Sequence, residues 1–258
     1  MERAIPVAGI AFAPLTRAEA LERIERYVQE GRPRQIVTAN LDFARLFRRD
    51  PDFRAAIAAA DLVVADGMPI VWLARLRGTP LPERISGIDL MDGCAALAAR
   101  KGYGIFLLGA GPGIAPRAAA ALQRRYPGLR VAGALTPPLG AFSPEIDAAL
   151  VETVRAAAPE MLFVALGAPR QELWLRAHLA ELGVPVCIGV GCAFDVLSGR
   201  RSRAPRWMQR SGLEWAFRLA QEPRRLWRRY LLGDLPLFAR VLSEQLFTTH
   251  DIPESGTG

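Results

Sequence analysis

The chain's most constraining feature is a series of short apolar runs that do not alternate with polar residues. Val7–Phe12, Gln35–Thr38, Leu62–Ala65, Gly104–Leu108, Leu129–Ala134, Met161–Leu166 and Val184–Val190 read as strands. A strand with one wet face alternates apolar and polar residues, whereas a continuous apolar run marks burial on both faces and hence a mainly parallel sheet covered by helices. Between the runs lie stretches of helical length rich in Arg, Ala and Glu: Arg17–Glu30, Leu41–Ala59, Pro69–Arg77, Ile88–Lys101, Pro116–Tyr126, Pro144–Ala157 and Gln171–Leu182. This order predicts an α/β, Rossmann-like core, in which ligands bind outside the carboxyl ends of the strands. With 258 residues, 51% of them hydrophobic and 23% charged, the chain can bury a full core.

Several classes are disfavoured. The cysteines Cys94, Cys187 and Cys192 are odd in number and form no C-x-x-C pair, and there are only two histidines. Neither a disulfide framework nor a zinc site is expected, and a reducing compartment fits. No stretch approaches the ~20 apolar residues that span a bilayer. The apolar run Ala4–Leu15 follows Arg3 and contains Ala-Phe-Ala, which could pass for a signal-peptide cleavage site. Glu2 cancels Arg3, and Pro6 and Gly9 interrupt the run, so a buried first strand is expected instead.

The net charge of +7 is local. Residues 200–229 hold ten arginines against Glu214 and Glu222, a balance of +8 that leaves −1 for the rest of the chain. Residues 1–198 therefore read as the core and 199–258 as a basic, helical appendage with a frayed tail, His250–Gly258. Leu235, Phe238, Leu242 and Leu246 recur at helical spacing. That stretch suits either an anionic membrane surface or packing on the core or another subunit. Trp207, Trp215, Phe217, Trp227 and Tyr230 interleave the arginines and need a surface to pack on. A nucleic-acid module would use such arginines too. The slightly acidic remainder carries no nucleic-acid motif, so nucleic acid is not the expected partner.

Candidate residues cluster at predicted strand ends. Asp66 follows Leu62–Ala65 and precedes Gly67, where it could act as a general base or cap the next helix. Thr38 and Asn40 end another strand and could bond a ligand or turn the chain. Gly109 and Gly111 begin a glycine-rich turn whose backbone N–H groups could face an anion. That turn is an incomplete dinucleotide fingerprint, with Ile114 at the third glycine position and no acid after the next strand. Asp50-Pro51-Asp52 matches a metal-binding D-x-D formally, but its place at a helix start favours capping. In Gly167-Ala-Pro-Arg-Gln-Glu172, Glu172 fits helix-dipole compensation, and the Gln171 amide is the better sugar ligand. Arg218, Arg225 and Arg228 would share a face of one helix, although Pro223 is placed to interrupt it. Arginine forks suit bidentate phosphate recognition.

Taken together, the motifs resemble one family. Their order is Thr38-Ala-Asn40, Ala65-Asp-Gly67, Glu83-Arg-Ile-Ser-Gly87, Phe106-Leu-Leu-Gly-Ala110, Tyr126-Pro-Gly-Leu129, Ala165-Leu-Gly-Ala-Pro-Arg-Gln-Glu172, Gly191-Cys-Ala-Phe-Asp195, Arg203-Ala-Pro-Arg-Trp-Met208, Gly212-Leu-Glu-Trp215 and Glu222-Pro-Arg224. The series resembles the WecG/TagA/CpsF glycosyltransferases, glycosyltransferase family 26, from about Val7 to Tyr230. Ser86 stands where the family commonly has Thr, and Arg170 where it has Lys. The resemblance implies an inverting, metal-independent and cofactor-free transfer from a UDP-sugar to a polyprenyl-diphosphate-linked saccharide. The sugar would be of N-acetylmannosamine or glucose type. Such enzymes build cell-surface polysaccharides on the cytoplasmic side of the membrane, and an appendage completes the site and reaches the lipid. The resemblance also implies Asp66 as catalytic base, with Thr38, Asn40, Arg84 and Gln171 in the substrate pocket. Arg218, Arg225 and Arg228 would engage the donor diphosphate. The oligomeric state stays open, a homo-oligomer included.

Overall fold

The computed structural model describes residues 3–137 and 143–248. The tail His250–Gly258 lies outside the described residues. Six strands form one all-parallel sheet: β3 (Arg34–Ala39), β4 (Leu62–Ala65), β5 (Gly104–Gly109), β6 (Arg130–Leu135), β7 (Met161–Ala165) and β8 (Val186–Gly189), in the order β4-β3-β8-β7-β5-β6. The α/β, Rossmann-like expectation holds. The first apolar run differs from it. Ile5–Val7 (β1) and Ile10–Phe12 (β2) form a separate antiparallel hairpin, because Ala8 and Gly9 adopt positive φ and reverse the chain. Val7, Ile10 and Phe12 are buried against the end of the sheet, so the run is core material.

Alternate residues of each strand feed opposite faces. Ile36, Val64, Leu107 and Phe163 pack with the helices α1 (Arg17–Glu30), α5 (Gly87–Lys101) and α6 (Ile114–Arg125). Phe106, Val164 and Cys187 pack with α7 (Pro144–Ala157) and α8 (Arg170–Leu182) on the other face. Near the β3–β4 edge that second face is covered by α2 (Leu41–Arg49), α3 (Pro51–Ala58) and α4 (Met68–Leu76). The single helix expected over Leu41–Ala59 is thus two. Pro51 forces the break, and the Asp50 carboxylate caps the second helix by accepting from the N–H groups of Asp52 and Phe53 at 3.0 Å. The D-x-D pattern is a cap.

After α9 (Ala193–Leu197) the chain returns over the strand ends as α10 (Arg206–Arg210), α11 (Glu214–Gln221) and α12 (Pro223–Trp227). A π-helical turn, Arg228–Asp234, then runs into α13 (Leu235–Thr248). Pro223 opens α12, so Arg218 and Arg225 lie on different helices. The π-turn ends just before Pro236, which has no N–H to give the residue four back; a widened turn accommodates that gap. Leu237 and Val241 are buried among α2 and α4 residues, with Phe238 and Leu242 partly buried beside them. Of the predicted stripe, Phe238 and Leu242 pack on the core, Leu235 is exposed, and the Leu246 side chain lies outside the described residues.

Gly109 shows how closely β5 and β7 are fitted. Its φ is +121°, and an added Cβ would stand 2.6 Å from the Ala165 carbonyl oxygen. Gly109→Ala should therefore destabilise the fold by about 2 kcal/mol or more, read as a lowered urea midpoint. An unchanged midpoint would contradict the close approach.

Candidate active site

A cleft of about 260 Å3 opens at the carboxyl ends of β3 and β4. Its floor carries Asn40 and Asp66, and its other side is built by α11 and the π-turn. The Asp66 N–H donates to the Ala39 carbonyl at 2.8 Å, holding the two strand ends together. Gly67 begins α4 without any side-chain cap, so Asp66 does not cap the helix after it. Its carboxylate instead accepts the backbone N–H of Gly87, at the start of α5. Burial raises the Asp66 pKa above the ordinary carboxylate range; Arg218 and Arg84 oppose that shift, and Glu214 adds to it. A carboxylate with raised proton affinity, lining a cleft, is suited to general-base work.

Two arginines stand beside it. Arg84 Nη1 donates to Glu214 Oε2 at 2.6 Å, and Arg218 Nη2 donates to Glu214 Oε1 at 2.8 Å. Burial would raise the Glu214 pKa, but Arg218 and Arg84 hold it below the usual range. Burial likewise works against the Arg218 charge, yet Cys192, Glu214 and Asp66 hold its pKa above the ordinary value. Arg84 also reaches Asp89 Oδ2 at 3.5 Å, the same oxygen that takes Arg203 at 2.7 Å. Deeper along the cleft, Arg229 pairs with the buried Asp42 at 3.1 Å and approaches Asp234 at 3.9 Å. Burial, helped by Asp42, pushes Asp234 up to about 7.

Of the residues singled out from sequence, Asn40, Asp66, Arg84 and Arg218 line this cleft together. Asn40 also turns the chain: its Oδ1 accepts from the N–H groups of Asp42 and Phe43 and caps α2, while its NH2 group donates to no described residue. Thr38 lies behind the lining, buried, with Oγ1 donating to the Gly189 carbonyl at 3.3 Å. Gln171 is also buried, and its Oε1 accepts the N–H groups of Gly167 and Gly191 at 3.1 Å each. It ties together the loops after β7 and β8. Arg225 is exposed and paired with Glu222, and Arg228 lies over the Trp227 ring at 5.3 Å. Neither lines the cleft. The glycine turn is at the end of β5, three strands from β3, or about 14 Å at ordinary strand spacing. Gly109 is required there by β7, and Gly111 sits under Arg200. Both glycine carbonyls accept from Thr136 Oγ1, at 3.4 and 3.3 Å.

Sequence reasoning passed over Glu214, Arg229 and Asp234. Glu214 did carry a signal, since it stands four residues before Arg218 on a predicted helix. Arg229 and Asp234 carried none, because the π-turn that aims them inward has no sequence signature. Trp72, Trp215, Leu231 and Leu235 line the outer cleft and remain exposed, an apolar rim around a charged floor. No helix among the described residues is long and apolar enough to cross a membrane.

Glu172 departs from the dipole role expected of it. It is buried, takes the Gln171 Nε2 at 2.6 Å, and burial pushes its pKa up to about 8. The folded state then binds a proton that the unfolded chain releases above the ordinary carboxylate range. This contribution is full at low pH and is lost as pH rises through about 8. Urea denaturation should show Glu172→Gln more stable, relative to the parent, at pH 8.5 than at pH 5. The opposite ordering would contradict a neutral Glu172.

The model of the glycosyl transferase WecG/TagA/CpsF family matches residues 5–251. The N-acetylglucosaminyldiphosphoundecaprenol N-acetyl-beta-D-mannosaminyltransferase of Bacillus spizizenii is 33% identical over 205 residues, spanning 80% of this chain and 77% of that protein. The protein of the same description from Staphylococcus aureus is 30% identical over 236 residues, spanning 91% of this chain and 90% of that protein. That of Bacillus subtilis is 32% identical over 225 residues, spanning 86% and 84%.

Proposed function

This chain belongs to the WecG/TagA/CpsF glycosyltransferase family, and from that premise we propose an inverting, metal-independent transfer of a hexose from a UDP-sugar to a polyprenyl-diphosphate-linked saccharide. The observation that carries the chemistry is Asp66, a carboxylate of raised proton affinity at a strand end, facing a cleft whose nearest cations are Arg84 and Arg218. The relatives' descriptions favour N-acetylmannosamine over glucose as the sugar, and an N-acetylglucosaminyl diphospho-undecaprenol as the acceptor.

In this mechanism Asp66 takes the proton from the acceptor hydroxyl as its oxygen attacks the anomeric carbon. The bond from that carbon to the diphosphate oxygen breaks on the opposite face, and its electron pair leaves with UDP. Arg84 and Arg218 meet the charge that develops on the diphosphate, a task for fixed cations aimed at a leaving group. Asn40 offers its free amide to the sugar. Thr38 and Gln171 act one layer behind, by holding the loops after β3, β7 and β8. Gly109 and Gly111 border the path of the donor along the same strand-end edge.

Residues 199–258 serve in this proposal as an appendage that completes the site and meets the membrane. Its outer surface supports that role: Trp227, Leu231 and Leu232 are exposed, with Arg224, Arg225 and Arg228 exposed beside them. Apolar side chains flanked by arginines suit an anionic lipid surface. The enzyme would then work peripherally on the cytoplasmic face, where Arg225 and Arg228 meet lipid headgroups and not the donor diphosphate expected of them.

Product analysis with a panel of UDP-sugars and a short-chain prenyl-diphosphate saccharide should give one inverted glycoside, with turnover retained in EDTA. Collapse in EDTA with recovery in Mn2+ would overturn the metal-free mechanism. Asp66→Asn should lower kcat by about 10²–10⁴-fold with the fold intact, and near-parental turnover would remove Asp66 as base. Full-length Leu231→Glu/Leu232→Glu should co-sediment less with anionic liposomes than the parent. Equal binding would contradict the proposed membrane face.

A further inference from the structure

Glu214 is an acid placed among the cations that the reaction needs, and its geometry assigns it a task. Each of its carboxylate oxygens takes one guanidinium: Oε2 that of Arg84, from the loop before α5, and Oε1 that of Arg218, from α11. Glu214 and Arg84 are largely shielded from water, at 12% and 13% accessible, and Arg218 is partly shielded, at 34%. Arg203 also faces Glu214, and Cys192 faces Arg218. Asp66, on the floor of the same cleft, is faced by Arg218, Arg84 and Glu214 and by the Gly87 N–H.

Two carboxylates thus share two guanidinia, and Glu214 holds both at hydrogen-bonding distance. Without it, Arg84 would keep Asp89, whose Oδ2 lies 3.5 Å away, but Arg218 would turn to the remaining carboxylate that faces it, Asp66. An Asp66 carboxylate locked to arginine would be a weaker base, and its lone pairs would be unavailable to an acceptor hydroxyl. Spread across two oxygens of one carboxylate, the two guanidinia also lie as they would across two oxygens of a diphosphate, which is preorganisation for a leaving group. We infer that Glu214 is a positioning residue for the transfer, keeping Arg218 off Asp66 and both Arg218 and Arg84 aligned for the donor diphosphate. This rests on the mechanism proposed above and deepens it.

The test is the pH profile of kcat/KM, whose acidic limb reports the base of the free enzyme. Glu214→Gln removes a negative charge near Asp66 and lets Arg218 turn to it. The acidic limb should move to lower pH by about one unit, and kcat should fall by about tenfold or more. Far-UV circular dichroism and a cooperative thermal transition should match the parent's, marking a folded protein with its appendage in place. Glu214→Asp keeps the charge but is one methylene short of bridging both arginines. Its limb should stay in place while kcat falls. A residue that acted through its charge alone would move the limb of Glu214→Gln and leave Glu214→Asp at parental kcat, and that result would overturn the inference. So would parental kcat and an unmoved limb in Glu214→Gln. If Glu214→Gln does not fold, parental kcat in Glu214→Asp overturns it instead. Absence of transfer by the parent from every UDP-sugar would strike the underlying mechanism; transfer with an indifferent Glu214 would strike this inference alone.

Discussion

A guanidinium drawn partly out of water is stabilised by an anion beside it, and this structure is arranged around such pairs. The arginine-rich segment after Ser198 does not stand off in solvent as a basic arm. Arg203 reaches Asp89, Arg218 reaches Glu214, and Arg229 reaches Asp42. Arg84 of the core in turn reaches Glu214. Asp89 and Asp42 belong to core helices, so these pairs fasten the segment over the carboxyl ends of the strands. The charge that is separate from the core in sequence is interlocked with it in space.

That interlocking gives the cleft its character. A parallel sheet presents its strand ends as one row of short loops, and here the row would be open to water on the β3–β4 side. α11 and the π-turn close it, bringing cations and aromatic residues to a floor that has a carboxylate and an amide. Enclosure raises the proton affinity of Asp66, and the same enclosure makes each added charge count for more. The outer rim is built oppositely, from Trp72, Trp215, Leu231 and Leu235. A charged floor beneath an apolar rim is the arrangement that the proposed lipid-linked diphosphate acceptor would need.

The core was legible in sequence because burial on both faces leaves a direct mark, the unbroken apolar run. All six sheet strands fell where those runs lie, within two residues at their ends. Departures came where a local backbone event overrode composition. Ala8 and Gly9 folded one run into a hairpin, and Pro51 split one helix into two. Asp66 and Asn40 were legible as site residues because each directly follows a strand end, whereas Arg84, in the loop before α5, was reached only through the family motif that holds it. Thr38 and Gln171 stand in the same motifs, yet they face inward, since the sense in which a side chain leaves a strand end depends on the neighbouring loops.

By itself the sequence determined the fold class, the parallel sheet, the edge on which a site must lie, and the concentration of arginine in one segment. These come from residue type and order alone. Only the tertiary structure decided which arginines enter the cleft. Arg218 and Arg229 do, whereas Arg225 and Arg228 remain outside, because Pro223 starts a new helix and the π-turn rotates the residues along it. It also decided that Glu214, Asp42 and Asp89 would meet those arginines, since ion pairs between distant segments exist only after the sheet has brought their elements together.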